Sequence, residues 1–255
     1  MNGYTLRDNF ESFCFTLKNL KKDFIVKKTT RYKTIIFNGE KFYFGEQKSF
    51  KDFQLIKKVE KDARIEFLEK NKMPPEQQNI NFVRFNDFNL TNAKILKIDI
   101  KAAYWYTAFY EFLQEETFLL GIENKRARLS ALGSLATQQH VEIYEKGLKV
   151  SEQINKKWTR PIYFLIAKKI DNIMNDLFIL DNLRFGFYVD CIFCSVKNKN
   201  IITEYLQECN YFFSINEVVA STFLDQYNNK YLIDSTDKIY FIKKGMNRKE
   251  EEIPF

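Results

Sequence analysis

Apolar and polar positions alternate with a period of two in some stretches and fall into helical spacing in others, which predicts a mixed α and β chain. Near the start, Tyr32 to Phe37 and Lys41 to Gly45 flank Asn38-Gly39. That dipeptide is the strongest short-range hairpin signal, because both residues accept the positive φ of a two-residue turn. Phe53, Ile56, Ala63 and Phe67 then recur near helical spacing across 50–72, and Met73-Pro74-Pro75 stops that helix. Polar residues 76–81 read as a linker that divides an amino-terminal accessory αβ region, 1–80, from a larger domain, 81–255. Strands follow at 82–86 and 94–101, where Leu96, Ile98 and Ile100 alternate with Lys97, Asp99 and Lys101. Helices are predicted over 102–116, 123–149 and 161–178, the last started by Pro161. A strand or hairpin at 184–196, a short helix at 199–209 and strands at 211–220 and 238–244 complete an α+β layer.

Two aspartates stand out against this pattern. Asp99 ends an apolar strand just before a helix; taken alone, between Lys97 and Lys101, it fits an exposed residue on a solvated strand face. Asp190 lies within Phe187-Tyr188-Val189-Asp190-Cys191-Ile192-Phe193, where an ionised carboxylate with no partner is expensive to bury. Such a residue points to function, and two of them suggest a metal. Between them, Lys125-Arg126-Ala127-Arg128-Leu129-Ser130-Ala131-Leu132-Gly133 reads as a helix with three cations near its start. Lys125, Arg128 and Leu132 share one face of it, and its small residues make a thin wall.

Together these three segments resemble the palm of a family B DNA polymerase. In that family the first motif runs Asp, two residues, Ser-Leu-Tyr; Asp99 and Tyr104 match, while Ala102 and Ala103 replace the Ser and Leu. The second runs Lys, three residues, Asn-Ser, one residue, Tyr-Gly; Lys125, Ser130 and Gly133 fall in register, with Leu129 and Leu132 in place of the Asn and Tyr. The third runs Tyr-Gly-Asp-Thr-Asp-Ser; Asp190-Cys191-Ile192-Phe193 matches its second half, and Tyr188 stands where the first Asp would be. Thr159-Arg160 echoes a Thr and Gly-Arg signature, and Lys243 and Lys244 resemble the lysine-bearing strand that grips primer–template duplex.

The resemblance implies a palm-like antiparallel sheet backed by helices, with reduced fingers, acting as a minimal template-directed nucleotidyltransferase. It implies Mg²⁺, or Mn²⁺, held by Asp99, Asp190 and the Ile100 carbonyl for two-metal phosphoryl transfer. Lys125 and Arg128 would neutralise the triphosphate, Ser130 would line the nucleotide site, and Tyr104 would pack beneath the incoming sugar. The partners implied are primer–template nucleic acid, nucleoside triphosphates and a protein supplying thumb or processivity function. The segment between Tyr104 and Lys125 is shorter than the usual fingers, and the part before the palm is too short for the usual exonuclease domain plus an amino-terminal domain. Two alternatives stay open: a palm that has lost catalysis and binds nucleic acid or a replication partner, and a reverse-transcriptase-like polymerase, whose Tyr-x-Asp-Asp box Tyr188-Val189-Asp190-Cys191 resembles without its last Asp.

Charge fits a polyanionic partner: the formal net charge is +7. Lys18, Lys21, Lys22, Lys27, Lys28, Arg31 and Lys33 cluster against one acid, Asp23, as either a solvated face or a phosphate-contact patch; Lys27 and Lys28 are its candidate contacts. The abundant Phe, 26 residues, and Tyr, 14, supply core and stacking surface. The four cysteines have no framework spacing, His140 is the sole histidine, and no long apolar span occurs. These features predict no membrane association and a reducing, cytoplasmic setting, the host cytoplasm for a viral or mobile-element protein.

Overall fold

The computed structural model describes residues 5–6, 9–29, 32–45, 50–76, 78–180 and 185–244; Arg31 of the basic cluster lies outside them. In chain order the elements begin β1 (Thr5–Leu6), α1 (Phe10–Asn19), β2 (Phe24–Lys28), β3 (Tyr32–Phe37), β4 (Glu40–Gly45), α2 (Phe50–Ala63), β5 (Val83–Phe85), β6 (Ala93–Ile100) and α3 (Ala103–Glu111). There follow α4 (Glu115–Ile122), α5 (Lys125–Leu135), β7 (Gln138–Glu145), β8 (Leu148–Lys156), α6 (Arg160–Leu180), β9 (Gly186–Tyr188) and β10 (Cys191–Cys194). The last elements are α7 (Lys199–Glu208), β11 (Phe213–Leu224), β12 (Lys230–Asp234) and β13 (Ile239–Lys243). The fold is α+β with antiparallel sheets, apart from one parallel pairing of β1 with β4. Among the described residues no helix is long and apolar enough to cross a membrane.

The chain forms two compact units, Met1–Gln77 with Phe112–Phe164, and Gln78–Glu111 with Leu165–Phe255. The predicted division into 1–80 and 81–255 has its break close to the first of these joins, while residues 112–164 sit with the amino-terminal unit.

In the first unit the sheet order is β1-β4-β3-β2-β7-β8. The β3–β4 hairpin turns on Asn38, φ +50°, and Gly39, φ +78°, as its dipeptide predicts. Helix α1, capped by Asn9 accepting from the Ser12 N–H at 2.9 Å, lays Phe10, Cys14 and Leu17 on Phe24, Val26, Ile35, Phe42, Phe44 and Tyr144. Helix α2 continues into a π-helical segment, Arg64–Glu69.

The helix expected over 123–149 is a correction: α5 ends at Leu135, and β7 and β8 take the remainder. Val141 and Ile143 are β-branched and alternate with polar residues, and β2 offers a partner edge, Val26 opposite Glu142 and Phe24 opposite Tyr144. Lys146, φ +48°, and Gly147, φ +80°, make the turn. The C-terminal carbonyls of α5 find donors in Thr159, whose Oγ1 bonds the Leu135 carbonyl at 2.8 Å, and in Arg160, whose guanidinium bonds that of Ala136 at 3.0 Å. Thr159-Arg160 therefore closes a helix end.

In the second unit the order is β13-β12-β11-β6-β10-β9-β5. Its centre, β11-β6-β10-β9, is laid down in the sequence β6, α3, α4, α5, β7, β8, α6, β9, β10, α7 and β11, of which α4, α5, β7 and β8 belong to the first unit. On one face Phe187, Ile192, Ile98 and Ile215 form a cross-strand row, and Phe178 of α6 meets the Phe187 ring at 6.2 Å. On the other face lie two rows, Tyr188–Cys191–Asp99–Ser214 and Gly186–Phe193–Lys97–Asn216. Phe88, Leu90, Ile95, Phe185, Phe193, Leu232 and Tyr240 cluster with Cys191 on this side. The sheet coils on itself: Tyr240 of β13 meets Tyr188 of β9 at 5.6 Å, and Lys243 pairs with Asp87, just beyond β5, at 3.2 Å. Coiling of this kind follows from the accumulated right-handed twist of strands.

Candidate active site

Asp99 is the penultimate residue of central strand β6 and is half-buried. The chain then turns sharply into α3 through Ala102, which sits at φ +50°. A residue with a Cβ in that region costs about 1–2 kcal/mol, and such costs persist where the surroundings over-determine the backbone. Here the Ile100 N–H donates to the Asp190 carbonyl at 3.0 Å, the Lys101 N–H to the Phe212 carbonyl at 2.7 Å and the Trp105 N–H to the Ala102 carbonyl at 2.8 Å. Trp105 is 1% exposed and anchors α3 behind the turn.

Asp190 does not lie in the middle of a buried strand. Residues 186–194 form a hairpin, and Val189 and Asp190 are its two turn residues, with Asp190 half-buried. Val189 stands at φ +58°, a genuine outlier for a β-branched side chain. The apolar neighbours are the flanking strands, so the desolvation argument from sequence overstated the burial of this carboxylate.

The hairpin sets its turn against the end of β6, so Asp99 and Asp190 come from adjacent strands, Asp99 directly opposite Cys191. The Cys191 side chain lies beside the Asp99 carboxylate in this cross-strand pair. Burial first, then the Asp99 carboxylate beside it, and more weakly the charge of Asp190, push the thiol far above its ordinary range. On the other flank Ser214 lies opposite Asp99, its Oγ buried with no hydrogen-bond partner among the described residues.

Two half-buried carboxylates and a neighbouring backbone make a hard oxygen donor set. Mg²⁺ suits it, since that ion takes one or two carboxylates and fills its octahedron with water and substrate phosphates. Among the described residues no group of three or more His, Cys, Asp or Glu is arranged to hold a metal ion. Tyr104, in the first turn of α3, is half-buried.

Lys125, Arg128 and Ser130 belong to the first unit, and Asp99, Tyr104 and Asp190 to the second. Asn124 caps α5, its Oδ1 accepting from the Ala127 N–H at 3.0 Å. Lys125 is exposed; the Arg128 guanidinium donates to the Ile122 carbonyl at 2.8 Å; Ser130 is buried. Leu132 is also buried, and Leu129 is the exposed one of the two leucines. Among the basic residues, Lys28 pairs with Glu142 at 2.8 Å and Lys33 with Glu11 at 2.9 Å, while Lys27 is half-buried in β2. Lys243 pairs with Asp87, and Lys244 is exposed.

Sequence reasoning missed Lys97. Alternation assigned it to the solvated face with Asp99, yet it is 5% exposed, its Nζ 3.0 Å from the Asp234 carboxylate and 2.6 Å from the Tyr240 hydroxyl. No local pattern marks it, because its partners lie on β12 and β13.

No family model matches the chain, and no curated protein and no solved structure shows significant similarity to it.

Proposed function

We propose that the chain is a template-directed nucleotidyltransferase, a minimal palm-like polymerase that extends a primer on Asp99 and Asp190. One observation carries the reading: Asp99 ends the central strand of a β11-β6-β10-β9 sheet, Asp190 occupies the adjoining hairpin turn, and the Ile100 N–H to Asp190 carbonyl bond of 3.0 Å holds the two segments together. Palms of template-dependent polymerases place their two carboxylates in this way. The strained residues Ala102, three positions after Asp99, and Val189, next to Asp190, add support, since backbone strain clusters at functional sites.

A divalent cation, Mg²⁺ or Mn²⁺, would supply Lewis-acid activation of the primer hydroxyl and neutralise triphosphate charge. Asp99 and Asp190 would bind and orient that cation, with the Ile100 carbonyl as a backbone oxygen donor. Lys125, exposed on the first turn of α5 in the first unit, would by its own chemistry suit a phosphate, and Ser130 belongs to the same helix. Tyr104 would pack beneath the incoming sugar. Lys27, Lys28, Lys243 and Lys244 are the candidate backbone contacts to nucleic acid, which carry no sequence information. A partner protein would supply duplex grip.

A second reading, a palm fold that binds nucleic acid or a replication partner without catalysis, draws on Arg128, whose guanidinium is already engaged with the Ile122 carbonyl.

Primer extension on DNA and RNA templates with Mg²⁺ or Mn²⁺ tests both. Extension by wild type, abolished in Asp99→Asn and in Asp190→Asn with both variants folded, is the expected result; extension on RNA alone assigns the reverse-transcriptase-like class. No extension, with nucleic-acid binding unaltered by either substitution, leaves the binding reading.

A further inference from the structure

Beyond the end of β6 the chain carries a shelf of aromatic side chains that the candidate active site does not use. Phe212 is 63% exposed and Tyr110 47% exposed, and Tyr106 joins them, its ring 5.4 Å from that of Phe212 and 6.4 Å from that of Tyr110. Contiguous exposed apolar groups mark interaction sites, whereas scattered single ones are ordinary. The shelf is bare, yet its backbone is held. Tyr211 is 6% exposed, with its hydroxyl 2.6 Å from Thr107 Oγ1 on α3, and the Tyr110 hydroxyl donates to the Asn210 carbonyl at 2.6 Å. The Phe212 carbonyl accepts from the Lys101 N–H at 2.7 Å, and Phe213 lies opposite Ile100. Residues 210–212 are thus clamped between α3 and the turn that follows Asp99. Lys101 is exposed, and Glu111, the one acid of α3, is paired with Lys169 at 3.1 Å, which leaves the shelf with a cation beside it.

We propose that Tyr106, Tyr110 and Phe212 form a stacking shelf for the unpaired bases of a template strand, with Lys101 meeting its phosphates. The choice of strand rests on the nucleotidyltransferase reading. Aromatic rings beside a cation suit single-stranded nucleic acid, because every base offers a π face and every nucleotide a phosphate. At a primer–template junction only the template overhang has such faces free: the primer bases and the incoming nucleotide are paired, and the duplex stack covers them. The shelf adjoins the strand end that carries Asp99, where the paired region would stop, so the bases just beyond it are the ones within reach. A ring already fixed by its backbone also loses little freedom when a base settles on it, which favours binding by preorganisation.

The test titrates fluorescein-labelled DNA in chelator, so that binding is read without metal or catalysis, using a blunt duplex, the same duplex with a short 5′ overhang, and that overhang made abasic. Wild type should prefer the overhang to the blunt duplex and lose the preference when the bases are removed. Phe212→Ala, shown folded by its melting curve, should bind the overhang about 5–100-fold more weakly with its affinity for blunt duplex unchanged. Phe212→Leu, which keeps apolar bulk without a π face, should resemble Phe212→Ala. Phe212→Trp should hold wild-type affinity, with its added emission quenched by the overhang. Wild-type overhang affinity in folded Phe212→Ala, full recovery in Phe212→Leu, or a preference that survives removal of the bases overturns the proposal. So does a wild type without overhang preference that sediments as a dimer which Phe212→Ala dissolves, the result that assigns the shelf to a second copy of the chain. An overhang preference that Phe212→Ala removes, in a wild type that extends no primer with Mg²⁺ or Mn²⁺, overturns the nucleotidyltransferase reading and leaves the shelf as a site for an unpaired strand.

Discussion

The Lys97 ammonium and the Asp234 carboxylate form a buried ion pair at 3.0 Å, with side-chain exposures of 7% and 0%. Burial alone would push the Asp234 carboxyl up; the Thr236 hydrogen bonds and Lys97 outweigh it and bring the group down from 3.8 to about 2. For Lys97 burial works against the charged form, yet the bonds to Tyr240 and Asp234 hold the ammonium well above its ordinary range. A depressed carboxyl gives stability that is complete above the unfolded value and disappears as pH falls through the folded one. The window for Asp234 is therefore pH 4 down to 2, where about 2 kcal/mol is lost. A raised lysine gives the opposite branch, complete below its ordinary value of 10.5 and lost only at more alkaline pH. Urea unfolding across pH 2–5 should show the acid loss in wild type and a shallower one in Asp234→Asn.

Breaking that pair on one side should be worse than removing it. Lys97→Met leaves Asp234 buried without its cation and is expected to cost about 3–5 kcal/mol. The double variant Lys97→Met with Asp234→Leu should recover part of that loss in denaturant titrations. Equal losses in the two variants would show that the pair itself contributes little beyond its packing.

Cation binding should be visible as stability. A ligand that binds only the folded state at a hundred times its Kd adds about 2.7 kcal/mol. At about 2–4 °C per kcal/mol, saturating Mg²⁺ or Mn²⁺ should raise the melting temperature by several degrees. Asp99→Asn should lose the rise while keeping a wild-type melting temperature in chelator, which differential scanning calorimetry can measure.

Gly186 and Gly39 make an internal comparison. A Cβ on Gly186, φ +151°, would meet the Arg84 carbonyl oxygen at 2.1 Å and Phe85 Cα at 2.7 Å. Both are backbone or tied to backbone, so Gly186→Ala should separate β9 from β5 at a cost of about 1–3 kcal/mol or more. At Gly39, φ +78°, there is open space, and Gly39→Ala should cost only the left-handed backbone, about 1–2 kcal/mol. Chemical denaturation would rank them.

Salt dependence separates engaged lysines from available ones. Lys28 is bound to Glu142 and exposed Lys244 is not part of that pair. Lys244→Ala should lower the slope of log K against log salt by about 1 on duplex DNA, and Lys28→Ala should lower stability with a smaller change in slope.

Local patterns were legible where local chemistry decides. Asn38-Gly39 announced its hairpin, Pro161 the start of α6, and the alternation of Leu96, Ile98 and Ile100 the central strand. They misled where a distant partner decides. Gln138 to Glu145 has enough helix-compatible residues to extend α5, and pairing with β2, more than a hundred positions earlier, and with β8 makes it a strand. Lys97 reads as a surface residue until Asp234, 137 positions away, covers it. Asp190 was legible as a special residue but not as a turn, since Val189 carries none of the usual signals for positive φ.

The placement of β6 also fixes an order of events on the ribosome. Its two hydrogen-bonded neighbours, β10 and β11, begin at Cys191 and Phe213, whereas β6 itself is finished at Ile100. In between, the chain builds residues 112–164, which pack with the amino-terminal unit. At about 5–20 residues per second, β6 emerges seconds before either neighbour and spends that time with both edges bare and Ile95, Leu96, Ile98 and Ile100 uncovered. A ribosome stalled after α6 would hold a nascent chain whose first unit can close while its most apolar strand has nothing to pair with, the kind of segment that holdase chaperones recognise.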